Sequence, residues 1–214
     1  MAIKVLIADD HGVVAEGLRH VIQTQSDMQV IACVANGSEA VRLSLEARPD
    51  IVLMDYEMPG LNGAEATRMI RNHSPRPDIV MLSMYSNPVY VLRALQAGAA
   101  GYIVKKSAAS EVIEAVREVS AGRRYLSRQL ADGGINQFIE KAATEEPLTR
   151  LSSRERQVLQ LLAEGRATAD IAATLSLSPK TVETHRTRMM KKLGIHDLAS
   201  LIKFAIQHGV TSLE

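Results

Sequence analysis

Hydrophobic and polar positions follow two alternating rhythms over about the first 120 residues, then a single rhythm after residue 147. Short, near-continuous apolar runs occupy 3–8, 29–34, 50–55, 79–83 and 101–104. Runs of that length without alternation suit strands buried on both faces. Between them apolar residues recur at helical spacing: Val14, Leu18, Val21 and Ile22 first, then segments 38–47, 63–71, 88–97 and 108–121. In the last of these Val112, Val116 and Val119 share one side. Five such strands alternating with five helices predict a parallel sheet covered on both faces. Gly122 punctuates the last helix, and 123–147 reads as a linker with one short helix around Ile135, Phe138 and Ile139. From Leu148 only the helical period remains, in four segments at 153–163, 168–175, 179–193 and 197–208. Thr168, Ser178 and His196-Asp197 offer N-caps, Pro179 suits a first helical position, and Gly165 and Gly194 suit C-terminal stops. The expected organisation is a first domain over 1–122, a linker over 123–147 and a helical domain over 148–214.

Charge divides along the same boundary. The 214 residues carry 25 Lys+Arg and 24 Asp+Glu. Residues 1–122 hold 11 basic and 14 acidic groups, whereas 148–214 hold 10 and 6. The basic half is a candidate for nucleic acid. Cys33 is the single cysteine, so no intramolecular disulfide exists, which fits a reducing compartment. No apolar run approaches the length needed to cross a bilayer, and the first residues lack the basic-then-apolar pattern of a signal peptide. The expected location is the cytoplasm, with no membrane partner.

The first domain carries the candidate chemistry. Asp9 and Asp10 close the first strand and Asp55 closes the third. In a flavodoxin-like, doubly wound sheet of order 2-1-3-4-5 these strands are neighbours at the switch point. Three carboxylates would then share one crevice, where they either protonate or recruit a cation. A hard divalent ion is the natural solution, and Mg²⁺ keeps open positions for phosphate oxygens. Ser83 at the fourth strand end can donate a hydroxyl hydrogen bond, and Lys105 after the fifth can place an ammonium there. One carboxylate could act as nucleophile toward phosphorus. The histidines, His11 included, show no ligand spacing, and Met54, Met58, Met81 and Met84 read as core or crevice lining.

Asp9-Asp10, Asp55-Tyr56-Glu57-Met58-Pro59-Gly60, Ser83 and Gly101-Tyr102-Ile103-Val104-Lys105 together resemble a response-regulator receiver domain. The resemblance implies that Asp55 accepts a phosphoryl group from a sensor histidine kinase. It implies that Asp10, Asp55 and the backbone carbonyl of Glu57 bind Mg²⁺, with Asp9 acting through water. Ser83 and Lys105 would contact the phosphoryl oxygens, and Tyr102 would occupy the aromatic switch position, although a tyrosine taken singly reads more readily as core packing. One departure is Lys106, where many receivers place a proline in a cis bond.

The second domain reads as a helix-turn-helix, because 170–175 and 179–193 are joined by only Ser176-Leu177-Ser178. Val182, Met189 and Leu193 can face the core, leaving Lys180, Glu183, Thr184, Thr187, Arg188 and Lys191 on other faces, a pattern that fits a DNA major groove. The Leu-Ser-x-Arg-Glu opening, Asp-Ile-Ala and Thr-Val-Glu-Thr-His resemble the LuxR-type domain, and the whole chain resembles a NarL/FixJ-type regulator. That resemblance implies base contacts at Glu183, Thr184, Thr187 and Arg188, with Lys180, Thr181, His185 and Lys191 at backbone or supporting positions. Glu183 reads either as a cytosine N4 acceptor or as a structural group, and His185 either as a contact or as packing. Ala167-Thr168-Ala169 departs from the family's Ser-Asn-Lys, so weaker backbone anchoring is expected. Leu198, Leu201, Ile202 and Ala205 form an apolar stripe assigned to the core, part of it available to a second copy. The function expected is a phosphorylation-switched, homodimerising transcription factor, not a turnover enzyme. The rivals are a phosphate-independent regulator of the same fold and an aspartate-nucleophile phosphatase. The latter lacks its usual Asp-x-Asp-x-Thr, since Asp55-Tyr56-Glu57 stands there.

Overall fold

The computed structural model describes residues 2–106, 109–131 and 147–211. It divides into two compact units, Met1–Lys141 and Ala142–Glu214. Arg76–Pro77 is the one cis peptide among the described residues, so Lys105–Lys106 is trans.

The first unit alternates β1 (Ile3–Ala8), α1 (Gly12–Gln23), β2 (Met28–Val34), α2 (Gly37–Ala47), β3 (Ile51–Asp55), α3 (Gly63–His73), β4 (Asp78–Ser83), α4 (Pro88–Ala97), β5 (Gly101–Val104) and α5 (Ala109–Ser120). The strands run parallel in the order β2-β1-β3-β4-β5, followed by a sixth, β6 (Tyr125–Leu126). Alternate side chains feed two cores. Leu6, Val52, Met54, Ile79 and Met81 pack on one face of the sheet. Val5, Ile7, Ile51, Leu53, Val80 and Leu82 pack on the other, against Val112, Val116 and Val119 of α5. Each fully buried residue of this size contributes about 1.5–3 kcal/mol of transfer free energy, so the sheet register is firmly set.

The sixth strand corrects the five-strand expectation and moves the end of the first domain past Gly122. Tyr125–Leu126 continues the sheet beside β5, with Gly101 opposite Tyr125. A short helix, α6 (Arg128–Ala131), follows. Glu111 on α5 holds this tail: its Oε1 accepts hydrogen bonds from Ser127 Oγ at 2.9 Å and from the Arg128 backbone N–H at 2.8 Å. Arg128 also pairs with Glu114 at 2.8 Å. Residues 123–131 are therefore not linker. The helix expected around Ile135, Phe138 and Ile139 lies outside the described residues.

The second unit opens with a 3₁₀ turn at Pro147–Arg150, then α7 (Ser153–Ala163), α8 (Thr168–Thr174), α9 (Pro179–Leu193) and α10 (Leu198–Gln207). Ser152 and Glu155 form a capping box at the start of α7, and Lys192 reaches Glu155 Oε2 at 2.6 Å to tie α9 to it. Ser178 caps α9, Pro179 opens it and Gly194 ends it in the left-handed region. Thr168 does not cap α8: the N-cap is Ala167, which has no side chain to offer. Leu148, Leu159, Ile171, Val182, Met189, Leu201 and Ala205 meet in one core. On the α10 stripe Leu201 and Ala205 are buried, whereas Leu198 is 40% exposed.

Candidate functional site

Sheet register brings the acidic strand ends together. Ala8 lies opposite Met54, Asp55 opposite Leu82 and Ser83 opposite Val104, so Asp9, Asp55, Ser83 and Lys105 reach one edge of the sheet. Gly63 allows the chain after β3 to fold back tightly: a Cβ there would stand 2.1 Å from the Asp55 carbonyl oxygen. Asp9 and Asp55 are buried and Asp10 is at the surface. Lys105 Nζ bridges the two buried acids, 2.7 Å from Asp9 Oδ2 and 2.7 Å from Asp55 Oδ2. Asp9 Oδ1 accepts the His11 backbone N–H at 2.9 Å, and the Glu57 N–H points at Asp55 Oδ1 from 3.4 Å.

One ammonium cannot neutralise three carboxylates. Burial pushes the Asp55 carboxyl up to about 7 and the Asp9 charge adds to that, although Lys105 pulls the other way. Burial works against the Lys105 ammonium too, but its bonds to Asp55 and Asp9 outweigh that and raise its pKa. Carboxylate oxygens of Asp9, Asp10 and Asp55 lie with a ring nitrogen of His11 within 4.8 Å of one another. This surplus of hard, negatively charged donors around one cleft fits a divalent cation. His11 was missed from the sequence because a lone histidine has no ligand spacing; the available signal was its place directly after an acidic pair at a strand end.

Ser83 is buried, and its Oγ accepts the Tyr85 N–H at 3.1 Å. Tyr102 is fully buried and donates its hydroxyl to the Tyr85 carbonyl at 2.8 Å. The backbone of Tyr85 is thus held by both residues singled out as switch positions. Burial raises the Tyr102 hydroxyl well above the usual phenol range. The Tyr85 ring stacks on Tyr90, with centroids 4.6 Å apart, and Tyr90 meets the edge of Tyr56 at 5.2 Å. Met54, Met58 and Met81 are buried as expected, but Met84 is 52% exposed.

In the second unit Val182 and Met189 turn inward, while Lys180, Glu183, Thr184, Thr187, Arg188 and Lys191 lie exposed along α9. Thr181 is half-buried beside its cap, Ser178. Glu183 already has a neighbour, because Thr168 Oγ1 donates to its Oε1 at 2.9 Å. Thr184 and Thr187 return their hydroxyl protons to the carbonyls of Lys180 and Glu183, leaving oxygen lone pairs facing outward. His185 is half-buried.

Comparison with known proteins gives the same division. The response regulator receiver domain family matches residues 5–117, and the LuxR family of bacterial regulatory proteins matches 149–205. The response regulator UvrY of Escherichia coli is 38% identical over 212 residues, 99% of this chain and 97% of that protein. The oxygen regulatory protein NreC of Staphylococcus epidermidis is 38% identical over 95% of this chain and 97% of its own. Among solved structures, the response regulator ChrA of a heme-sensing two-component system is 32% identical, covers 98% of this chain and 99% of its own, and superposes with a TM-score of 0.54.

Proposed function

Since this chain belongs to the two-component response regulators of the NarL/FixJ type, a receiver joined to a LuxR-type DNA-binding domain, we propose that Asp55 is its phosphoacceptor and that phosphorylation controls its DNA binding. The donor is a sensor histidine kinase: an Asp55 oxygen forms the new bond to phosphorus as the phosphorus–nitrogen bond of the kinase phosphohistidine breaks. Lys105 carries the reading, because its ammonium stands 2.7 Å from the Asp55 carboxylate and is positioned to meet charge on the transferred oxygens. Asp9, Asp10, Asp55 and the Glu57 carbonyl would hold Mg²⁺, which supplies charge neutralisation at the phosphoryl group. The chain acts once per phosphoryl group, with slow self-dephosphorylation, and is not a turnover enzyme.

The new anion offers an acceptor to the Ser83 hydroxyl proton, and turning toward it moves the oxygen that holds the Tyr85 N–H. Tyr102 holds the carbonyl of the same residue, so a move at Ser83 passes to the aromatic stack on α4. A homodimer follows in the cytoplasm and presents two α9 helices to half-sites of double-stranded DNA. Lys180, Thr181 and Lys191 serve the phosphate backbone, and Thr184, Thr187 and Arg188 the base edges, Arg188 by pairing with guanine. The test compares DNA affinity of the wild type and Asp55→Asn with and without acetyl phosphate and Mg²⁺. The wild type gains affinity only with the donor, and the variant never does. Equal affinity in all four samples overturns the reading.

A further inference from the structure

His11 occupies the N-cap of α1 yet makes no side-chain cap hydrogen bond. Ser, Thr, Asn or Asp would ordinarily fill that position and satisfy an N–H of the first turn. The imidazole turns instead toward the acids. Its Nδ1 lies 3.0 Å from Asp10 Oδ1, 3.5 Å from Asp9 Oδ1 and 4.0 Å from Asp55 Oδ2. Nδ1 thus faces the same carboxylate oxygens that line the acidic cleft.

The separations are those of neighbouring ligands. Around an octahedral ion with ligands at about 2.1 Å, adjacent donors stand about 3.0 Å apart and opposite donors about 4.2 Å. Nδ1 has the adjacent spacing to Asp10 Oδ1 and nearly the opposite spacing to Asp55 Oδ2. The ring is largely open to solvent, its side chain 68% exposed, so it can rotate to follow an ion.

We propose that His11 is a further, nitrogen ligand to the divalent cation of the acidic cleft and biases the site toward later first-row metals such as Co²⁺ and Ni²⁺ over Mg²⁺. This rests on the metal site proposed above. Imidazole suits later first-row metals, whereas carboxylates alone suit Mg²⁺. One nitrogen donor adds to the preference for those later metals while leaving three carboxylates able to hold Mg²⁺. The histidine thereby sets which metal accompanies phosphorylation when both are present.

The test uses full-length, tag-free protein loaded with Mn²⁺ and examined by pulsed electron paramagnetic resonance. The wild type shows the nitrogen modulation of a directly bound imidazole, and His11→Gln loses it. Calorimetric titration follows the same pair: Co²⁺ affinity falls roughly tenfold or more in His11→Gln, at least the loss that removing an outer-shell partner of a metal ligand causes, while Mg²⁺ affinity stays within about twofold. Circular dichroism of the variant, matching the wild type, separates ligand loss from misfolding. Mn²⁺ bound without imidazole coupling in the wild type overturns the role of His11 and leaves the acidic site standing. If Mn²⁺ and Mg²⁺ do not bind at all, both this inference and the metal site beneath it fall.

Discussion

The side chain whose protonation matters most is Asp55. Its ordinary pKa is 3.8, and in the folded protein burial raises it to about 7. A carboxyl raised on folding contributes stability that is complete below the lower value and lost as pH rises through the higher one. Asparagine mimics the protonated acid and does not titrate. With a chelator present, the unfolding free energy of Asp55→Asn should match that of the wild type near pH 4 and exceed it by about 1 kcal/mol or more at pH 8. Urea denaturation across that range checks it, and a gap that stays constant with pH would show that the site carries no uncompensated charge. At this scale the sequence was informative wherever a residue's role follows from its place on the chain. Asp9, Asp10, Asp55, Ser83 and Lys105 stand at strand ends, and strand ends align in a parallel sheet. His11 and Thr168 were illegible because their roles depend on rotamers: one turns toward acids, the other across to a second helix.

Among elements, the helix expected to read DNA is braced from two sides. Lys192 reaches Glu155 in the capping box of α7, and Glu183 receives the Thr168 hydroxyl from α8. Glu183 is therefore a residue that fixes how α9 sits on α8, and this favours the structural one of its two sequence readings. Thermal unfolding of Thr168→Val, Glu183→Gln and the double variant should give a coupling of about 0.5–1.5 kcal/mol. A purely base-reading Glu183 would show no coupling and would change only DNA specificity. The lengths of these helices were legible because Ser178, Pro179 and Gly194 punctuate them chemically. The start of α8 was legible only to within a residue, because Ala167 caps by backbone conformation alone.

For the whole molecule, the alternation of runs and periods was enough to order five strands and separate an α/β unit from a helical one. The sixth strand escaped because two residues, Tyr125 and Leu126, are too few to show any period, and what keeps them in place is Glu111 and Glu114, fourteen and eleven residues before Tyr125. That clasp governs where the polypeptide can be cut. A fragment stopping at Gly122 would strip the cover from the flank of β5, leaving the Tyr102 carbonyl without the Ser127 N–H and the Val104 N–H without the Ser127 hydroxyl. Bare strand flanks recruit one another. Such a fragment should self-associate in analytical ultracentrifugation where one ending after Ala131 sediments as a monomer, and equal behaviour of the two would mean that the last strand is decoration. The receiver unit thus carries its own seal against sticky chance encounters, fastened by a pair of glutamates one helical turn apart.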